Sequence, residues 1–180
     1  MLMDTTEDAL ALAAAAGDAA AFAALLDRVY DRLFGLCFRL TGMRAEAEDL
    51  CQDICAALPA KLAGFRGQSR VTTWLYRVAV NAAHDRRRRQ ASYKKATTGW
   101  GDWEISRTET NKETRAQLDW LTEAMRALPE DLRDTLALVL DDLTHAEAAE
   151  VLGISEGTVS WRLSEARKTL RALKQKEEAE

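Results

Sequence analysis

FRGQSRVTTWLYRVAVNAAHDRRRR, residues 65–89, joins a polar loop, an amphipathic helix with aromatics near its start, and a run of four arginines. Read as a helix from Val71, it places Val71, Leu75, Val78, Ala79 and Ala82 on one face. Thr73, Arg77, Asn81 and His84 recur three or four residues apart on another. One face suits a core, and the other suits a polar partner. Hydroxyl, guanidinium, amide and imidazole groups are donors that meet phosphates and base edges, so nucleic acid is the natural candidate. The alternative is a surface helix whose charges are simply solvated.

Upstream, the sequence reads as further helices. Thr6 to Ala16 forms a short one stopped at Gly17, and Asp18 can N-cap a second that carries Phe22, Leu25, Leu26, Val29, Leu33, Leu36, Cys37 and Leu40. Thr41-Gly42 ends it. A third begins near Arg44 and buries Ala47, Leu50, Cys51, Ile54 and Leu58, while Glu48, Asp49, Gln52 and Asp53 show on its other side. That acidic side is either a solvated face or a surface for a basic groove on a partner. Four helices with short connections can close one small bundle over residues 1–95.

Downstream, residues 96–112 lack apolar periodicity and are rich in Thr and Gly, so they read as a flexible linker, with Trp100 and Trp103 as unusual passengers. Residues 113–180 make a second helical unit. Leu118, Leu121, Met125 and Leu128 mark one helix ended by Pro129, and Leu132, Leu136, Val139 and Leu140 mark the next. Leu143 to Leu152 is a short helix, Gly153 permits a tight turn, and Ser155 can cap a final helix with Val159, Leu163, Ala166 and Leu170 inward. This is helix-turn-helix spacing, although helical hairpins with a central glycine also occur away from DNA. Outward positions include Thr158, Trp161, Arg162 and Lys168, with Glu156 and Glu165 among them as unfavourable company for phosphate.

Composition agrees with an all-α protein of two small helical domains. The 180 residues are 47% hydrophobic and 30% charged, with two prolines and nine glycines. The net charge of −4 hides segregation. Residues 1–95 carry 14 basic and 11 acidic side chains, a net +3, whereas residues 113–180 carry 9 and 15, a net −6. Between Trp161 and Lys176, six basic residues face the single acid Glu165, so a basic surface can exist locally. Cys37, Cys51 and Cys55 lack nearby histidines, which argues against structural zinc or a disulfide framework and for a reducing, cytoplasmic setting. Cys51 and Cys55 stand one helical turn apart, as a redox or metal pair would, but small semi-buried side chains are the simpler account. The Ala/Leu run from Ala9 to Ala16 follows acidic residues and stops at Gly17, so neither a signal peptide nor a membrane span is expected. No paired-carboxylate metal site, nucleophile constellation or phosphate-cradling glycine loop supports an enzyme, and no cofactor is implied.

The order AEDLCQDI, FRGQSRVTTWLYRVAVNAAHDRRRR, ALPEDLRDTLAL and LTHAEAAEVLGISEGTVSWRLSEARKTLR resembles bacterial RNA polymerase sigma factors of the extracytoplasmic-function (ECF) group. The similarity covers nearly the whole chain, and four motifs in order are more specific than any alone. The resemblance implies that region 2 (residues 1–95) binds the clamp of core RNA polymerase and melts the −10 element of promoter DNA. Region 4 (residues 113–180) would bind the polymerase flap and read the −35 element. Asp49, Gln52 and Asp53, with neighbouring Glu48, match the clamp-binding helix. The loop from Phe65 to Val71, including Arg66, Ser69 and Arg70, matches the receiver of a flipped base, and Arg77 and Asn81 match residues lining that pocket. Thr73 and His84 complete the polar face, and Arg86, Arg87 and Arg88 with Arg89 would attract phosphate. The −35 set is Ser155, Thr158, Ser160, Trp161, Arg162, Arg167 and Lys168. Ser160 and Glu165 stand where relatives commonly carry basic residues, and Trp161 where a small one is usual.

The resemblance further implies an anti-sigma factor that clamps the two domains, and a monomer when free. A stand-alone helix-turn-helix regulator is the alternative. It has no use for the Asp49, Gln52 and Asp53 cluster together with a base-receiving loop.

Overall fold

In the computed structural model, residues 6–96, 112–177 and 179 are described, and the regular structure among them is all helical. The expected linker lies almost entirely outside the described residues, as do Trp100 and Trp103. The first unit holds α1 (Glu7–Ala15), α2 (Ala19–Thr41), α3 (Arg44–Leu62) and α4 (Val71–Ala96). Each start has a local chemical reason. Thr6 accepts from the Ala9 N–H at 3.2 Å, and Asp18 accepts from Ala20 and Ala21 at 2.9 and 3.0 Å. Gly42 ends α2 in the left-handed region at φ 71°, as Thr41-Gly42 suggested. The start of α4 is held from a distance, because the Val71 N–H donates to the Asp8 carboxylate at 2.6 Å, across 63 residues.

Around α2 pack α1, α3 and α4, and between them lie Leu10, Leu33, Leu36, Leu40, Leu50, Ile54, Leu62 and Val80, all fully buried. Each such side chain contributes about 1.5–3 kcal/mol through removal from water. The buried stripe of α4 is wider than its periodicity suggests. Val78 and Ala82 are only half-buried, whereas Thr73, Tyr76, Val80 and Ala83 are covered. The cause is a second packing surface, since α4 meets α7 as well as α2 and α3.

The second unit holds α5 (Lys112–Ala127), α6 (Glu130–Val139), α7 (His145–Leu152) and α8 (Glu156–Glu177). Helix α7 starts two residues later than the apolar pattern proposed, because Thr144 and Glu147 form a reciprocal capping box there. Leu140 was expected inward with Val139 but is 49% exposed: α6 stops at Val139, and the chain turns through Asp142 at φ 62°. Val159, Leu163 and Ala166 bury the inner face of α8 against α6 and α7.

The two units touch. Helix α6 packs on α2, and α7 on α4. At Gly42 the approach is so close that an added Cβ would lie 2.2 Å from Cγ of Arg126 on α5. No helix among the described residues is long and apolar enough to cross a membrane.

Candidate nucleic-acid interface

The loop before α4 is fixed from beneath. Phe65 is buried and tilts against Trp74, ring centroids 5.4 Å apart at 59°, so its ring anchors the loop from the inside. Arg66 is exposed and donates to the carbonyls of Ala63 and Phe65 at 2.8 and 3.3 Å. Ser69 is half-buried, and Arg70 is exposed with its guanidinium 3.5 Å from Glu147. Thr73 points into the core.

Further along α4, the polar face meets the second unit. Arg77 donates to the Glu150 carbonyl at 2.8 Å and lies 3.5 Å from its carboxylate. His84 Nε2 sits 2.8 Å from Asp134 Oδ2, and Arg87 grips both oxygens of the same carboxylate at 3.0 and 2.6 Å. Asn81 remains exposed, on a groove of about 730 Å³ that also takes in Lys61, His84, Arg87, Arg88 and Glu130. The arginine run is thus not uniform. Arg86 bonds Asp49 at 3.1 Å and approaches Asp53 at 3.5 Å, Arg87 goes to α6, and Arg88 pairs with Asp85 on its own helix. The Asp85 carboxyl is held below its ordinary value by that bond to Arg88.

Glu48, Asp49, Gln52 and Asp53 form an exposed acidic strip on α3, with Glu48 also accepting from Arg44 at 2.8 Å.

In the helix-turn-helix, Gly153 takes φ 67° and Ser155 accepts from the Thr158 N–H at 3.1 Å. The hydroxyls of Ser155 and Thr158 meet at 2.9 Å. Ser160 faces His145 at 3.1 Å, Trp161 is 59% exposed, and Arg167 and Lys168 are exposed on the following turn. Arg162 is drawn back toward Asp131 at 3.5 Å and is only 19% exposed.

The three thiols gather where α2 meets α3. Cys51 is lowered to about 7, chiefly because Cys37 donates to its sulfur, with Cys55 and Tyr30 adding to the effect. The same bond pushes Cys37 up, and burial raises Cys55 to about 11. Cys37 and Cys51 are buried, which suits packing. Among the described residues, no group of three His, Cys, Asp or Glu could hold a metal ion.

Sequence reasoning missed Asp134, Asp141, Tyr76 and Arg39. Asp134 is 1% exposed, and Asp141 accepts from both Tyr76 Oη and Arg39. Burial and the bond to Asp141 raise the Tyr76 phenol above its ordinary value. A tyrosine within the apolar face of α4 was the one available signal, since its hydroxyl required a partner.

A model for Sigma-70 region 2 matches residues 25–93, and one for Sigma-70 region 4 matches residues 118–170. The ECF RNA polymerase sigma factor SigW of Bacillus subtilis is 30% identical over 172 residues, spanning 86% of this chain and 89% of that protein. The ECF RNA polymerase sigma factor SigM of Mycobacterium tuberculosis is 33% identical over 172 residues, spanning 92% and 84%. Among solved structures, CnrH in complex with the cytosolic domain of CnrY superposes with a TM-score of 0.72 at 24% identity, over 94% of this chain and 97% of that one. The sigma factor RpoE in complex with the anti-sigma factor NepR from Bartonella quintana gives the same TM-score and identity, over 83% and 94%. The chain belongs to the ECF RNA polymerase sigma factors. It directs RNA polymerase to promoters and is not an enzyme.

Proposed function

We propose that promoter opening is carried by the groove beside Asn81 and polymerase binding by the acidic strip of α3. The observation that supports this division is the exposure of Asn81 in a groove lined by Lys61, His84, Arg87 and Arg88, one helix away from Glu48, Asp49, Gln52 and Asp53. A base flipped from melted DNA offers a Watson–Crick edge to the Asn81 amide and a phosphate to the flanking cations. Buried Phe65 and Thr73 fix the start of α4, and Arg66, Ser69, Arg70 and Arg77 carry the polar surface of the preceding loop and first turns. Arg86 serves a different end, bracing Asp49 and Asp53 for the polymerase. In region 4, Ser155, Thr158, Ser160, Trp161, Arg167 and Lys168 face the −35 element, with Arg162 recruited once it leaves Asp131. Residues 1–95 and 113–180 act as the two promoter-binding domains, and 96–112 as the tether. The solved relatives in complex with CnrY and NepR support an anti-sigma partner for this chain as well.

The test is run-off transcription with core polymerase. Asn81→Ala is expected to lower open-complex formation about tenfold, the scale of a lost base-edge contact, and to leave core polymerase affinity unchanged. Equal loss in both assays makes Asn81 structural and overturns the assignment.

A further inference from the structure

We propose that Trp161 selects a base, its indole meeting the C5-methyl group and O4 of a thymine in the major groove of the −35 element. This rests on the proposed placement of α8 against that element. Tryptophan is among the side chains most covered on average, yet Trp161 is 59% exposed. At about 100° per residue it stands roughly 200° around the helix from both Val159 and Leu163, which are buried. The indole therefore projects directly away from the core. It lies in the second turn of α8, within the part of a recognition helix that enters the groove.

Its neighbours are engaged elsewhere or carry the wrong charge. Arg162 is 19% exposed and drawn to Asp131 at 3.5 Å, Ser160 meets His145 at 3.1 Å, and the Thr158 hydroxyl meets that of Ser155 at 2.9 Å. Glu165 has the sign of a phosphate. Positive charge returns further along, where Arg167, Lys168 and Arg171 are exposed, so duplex DNA is the partner whose charge fits the helix while its bases fall beneath the indole. The ring then discriminates by its own chemistry. It offers a broad apolar surface, one N–H donor and no acceptor. In the major groove thymine alone sets a methyl group beside an acceptor, whereas guanine shows acceptors without a methyl group, and cytosine and adenine show an amino donor. Thymine accordingly satisfies both the apolar body of the indole and its N–H.

The test uses core polymerase with the full chain. Run-off transcription on a genomic fragment library supplies an active promoter, whose −35 element is then randomised and read at subsaturating polymerase with wild type and with Trp161→Ala. Wild type is expected to favour thymine at one position or more, and Trp161→Ala, verified as folded by circular dichroism, to lose that preference at one of them and keep the others. Each thymine-preferring position is then rebuilt in turn with deoxyuridine, which removes the methyl group and keeps O4. At the position under Trp161, wild type is expected to transcribe about fourfold less, the scale of one buried methyl group, and Trp161→Ala to transcribe both templates equally. The deoxyuridine templates decide the matter with wild type alone, even where Trp161→Ala misfolds. Equal wild-type yields from thymine and deoxyuridine at every such position overturn the proposal. So does a folded Trp161→Ala whose loss is spread evenly over all templates, the mark of a structural residue. Yields indifferent to base throughout the −35 element remove α8 from promoter reading, and this inference with it. Base preferences that persist beside tolerance of deoxyuridine keep α8 as a reader and strike out only Trp161.

Discussion

Two helices present polar faces suited to DNA, and they differ in what lies on them. On α4, Arg77, His84 and Arg87 are in contact with carboxyl or carbonyl groups of α6 and α7. On α8, Trp161, Arg167 and Lys168 stand in the open. The difference teaches that a candidate DNA surface is defined by access as well as by residue type. Arg77, Arg86, Arg87 and Arg88 of α4 are already satisfied within the chain, whereas on α8 Arg167 is exposed and Lys168 meets only Glu165 of its own helix at 4.0 Å, with Arg162 alone turned back to Asp131 among these.

The largest test of the comparison asks whether the units stand or fall together. Leu36→Ala in the first and Leu138→Ala in the second each remove a fully buried side chain, and each is expected to cost about 2–5 kcal/mol. If the contact between units is weak, urea denaturation resolves two transitions, and each variant moves only its own. A single transition moved by both would make the molecule one cooperative body.

Next in size are Gly42 and Gly153, two of the four positive-φ glycines among the described residues. Gly153→Ala meets open space and is expected to lose about 1 kcal/mol in thermal stability from backbone strain alone. Gly42→Ala carries the same strain, and its Cβ also displaces Arg126, so its loss is expected to be larger, roughly 2 kcal/mol. Equal losses would show that Arg126 moves aside freely and that the contact there is loose.

A smaller effect belongs to the capping box of α7. Thr144→Ala is expected to lower stability by about 1 kcal/mol near neutral pH. The Thr144 N–H and hydroxyl hold the Glu147 carboxyl below its ordinary value. That contribution is therefore present above the ordinary glutamate range and lost as pH falls through the depressed value. The gap in melting temperature between wild type and Thr144→Ala should accordingly narrow in acid.

The smallest effect concerns salt. Arg167→Gln should reduce the slope of log affinity against log salt by about one if the arginine contacts phosphate. Arg87→Gln should change the slope less in the free chain, because its cation starts out on Asp134. Equal changes would place both arginines in the same open condition.

Much of this architecture is legible in the sequence. Asp18, Thr41-Gly42, Gly153 and Ser155 act through local hydrogen bonds and backbone conformation, so their roles follow from neighbours in the chain. The helix-turn-helix and the inner faces of α2 and α3 follow from spacing. What the sequence does not show is a helix with two packing partners. Periodicity along α4 describes one core, so it put Thr73 on the polar face and passed over Tyr76 and Val80, which are buried because another surface of the helix is also covered. Asp134 was invisible for the same reason. An aspartate amid Leu132 and Leu136 reads as solvated until His84 and Arg87 arrive from fifty and forty-seven residues away. Phe65 reads as a stacking aromatic beside a polar loop, yet Trp74 one helical turn into α4 takes its ring inward.

The bond from the Val71 N–H to Asp8 has a practical meaning for handling this protein. The first turn of α4 borrows its capping group from the opposite end of the domain, so a residue outside the matched 25–93 segment holds the start of that helix. A fragment trimmed to that segment would retain every side chain of the groove that the first unit supplies and lose the clip at the start of α4.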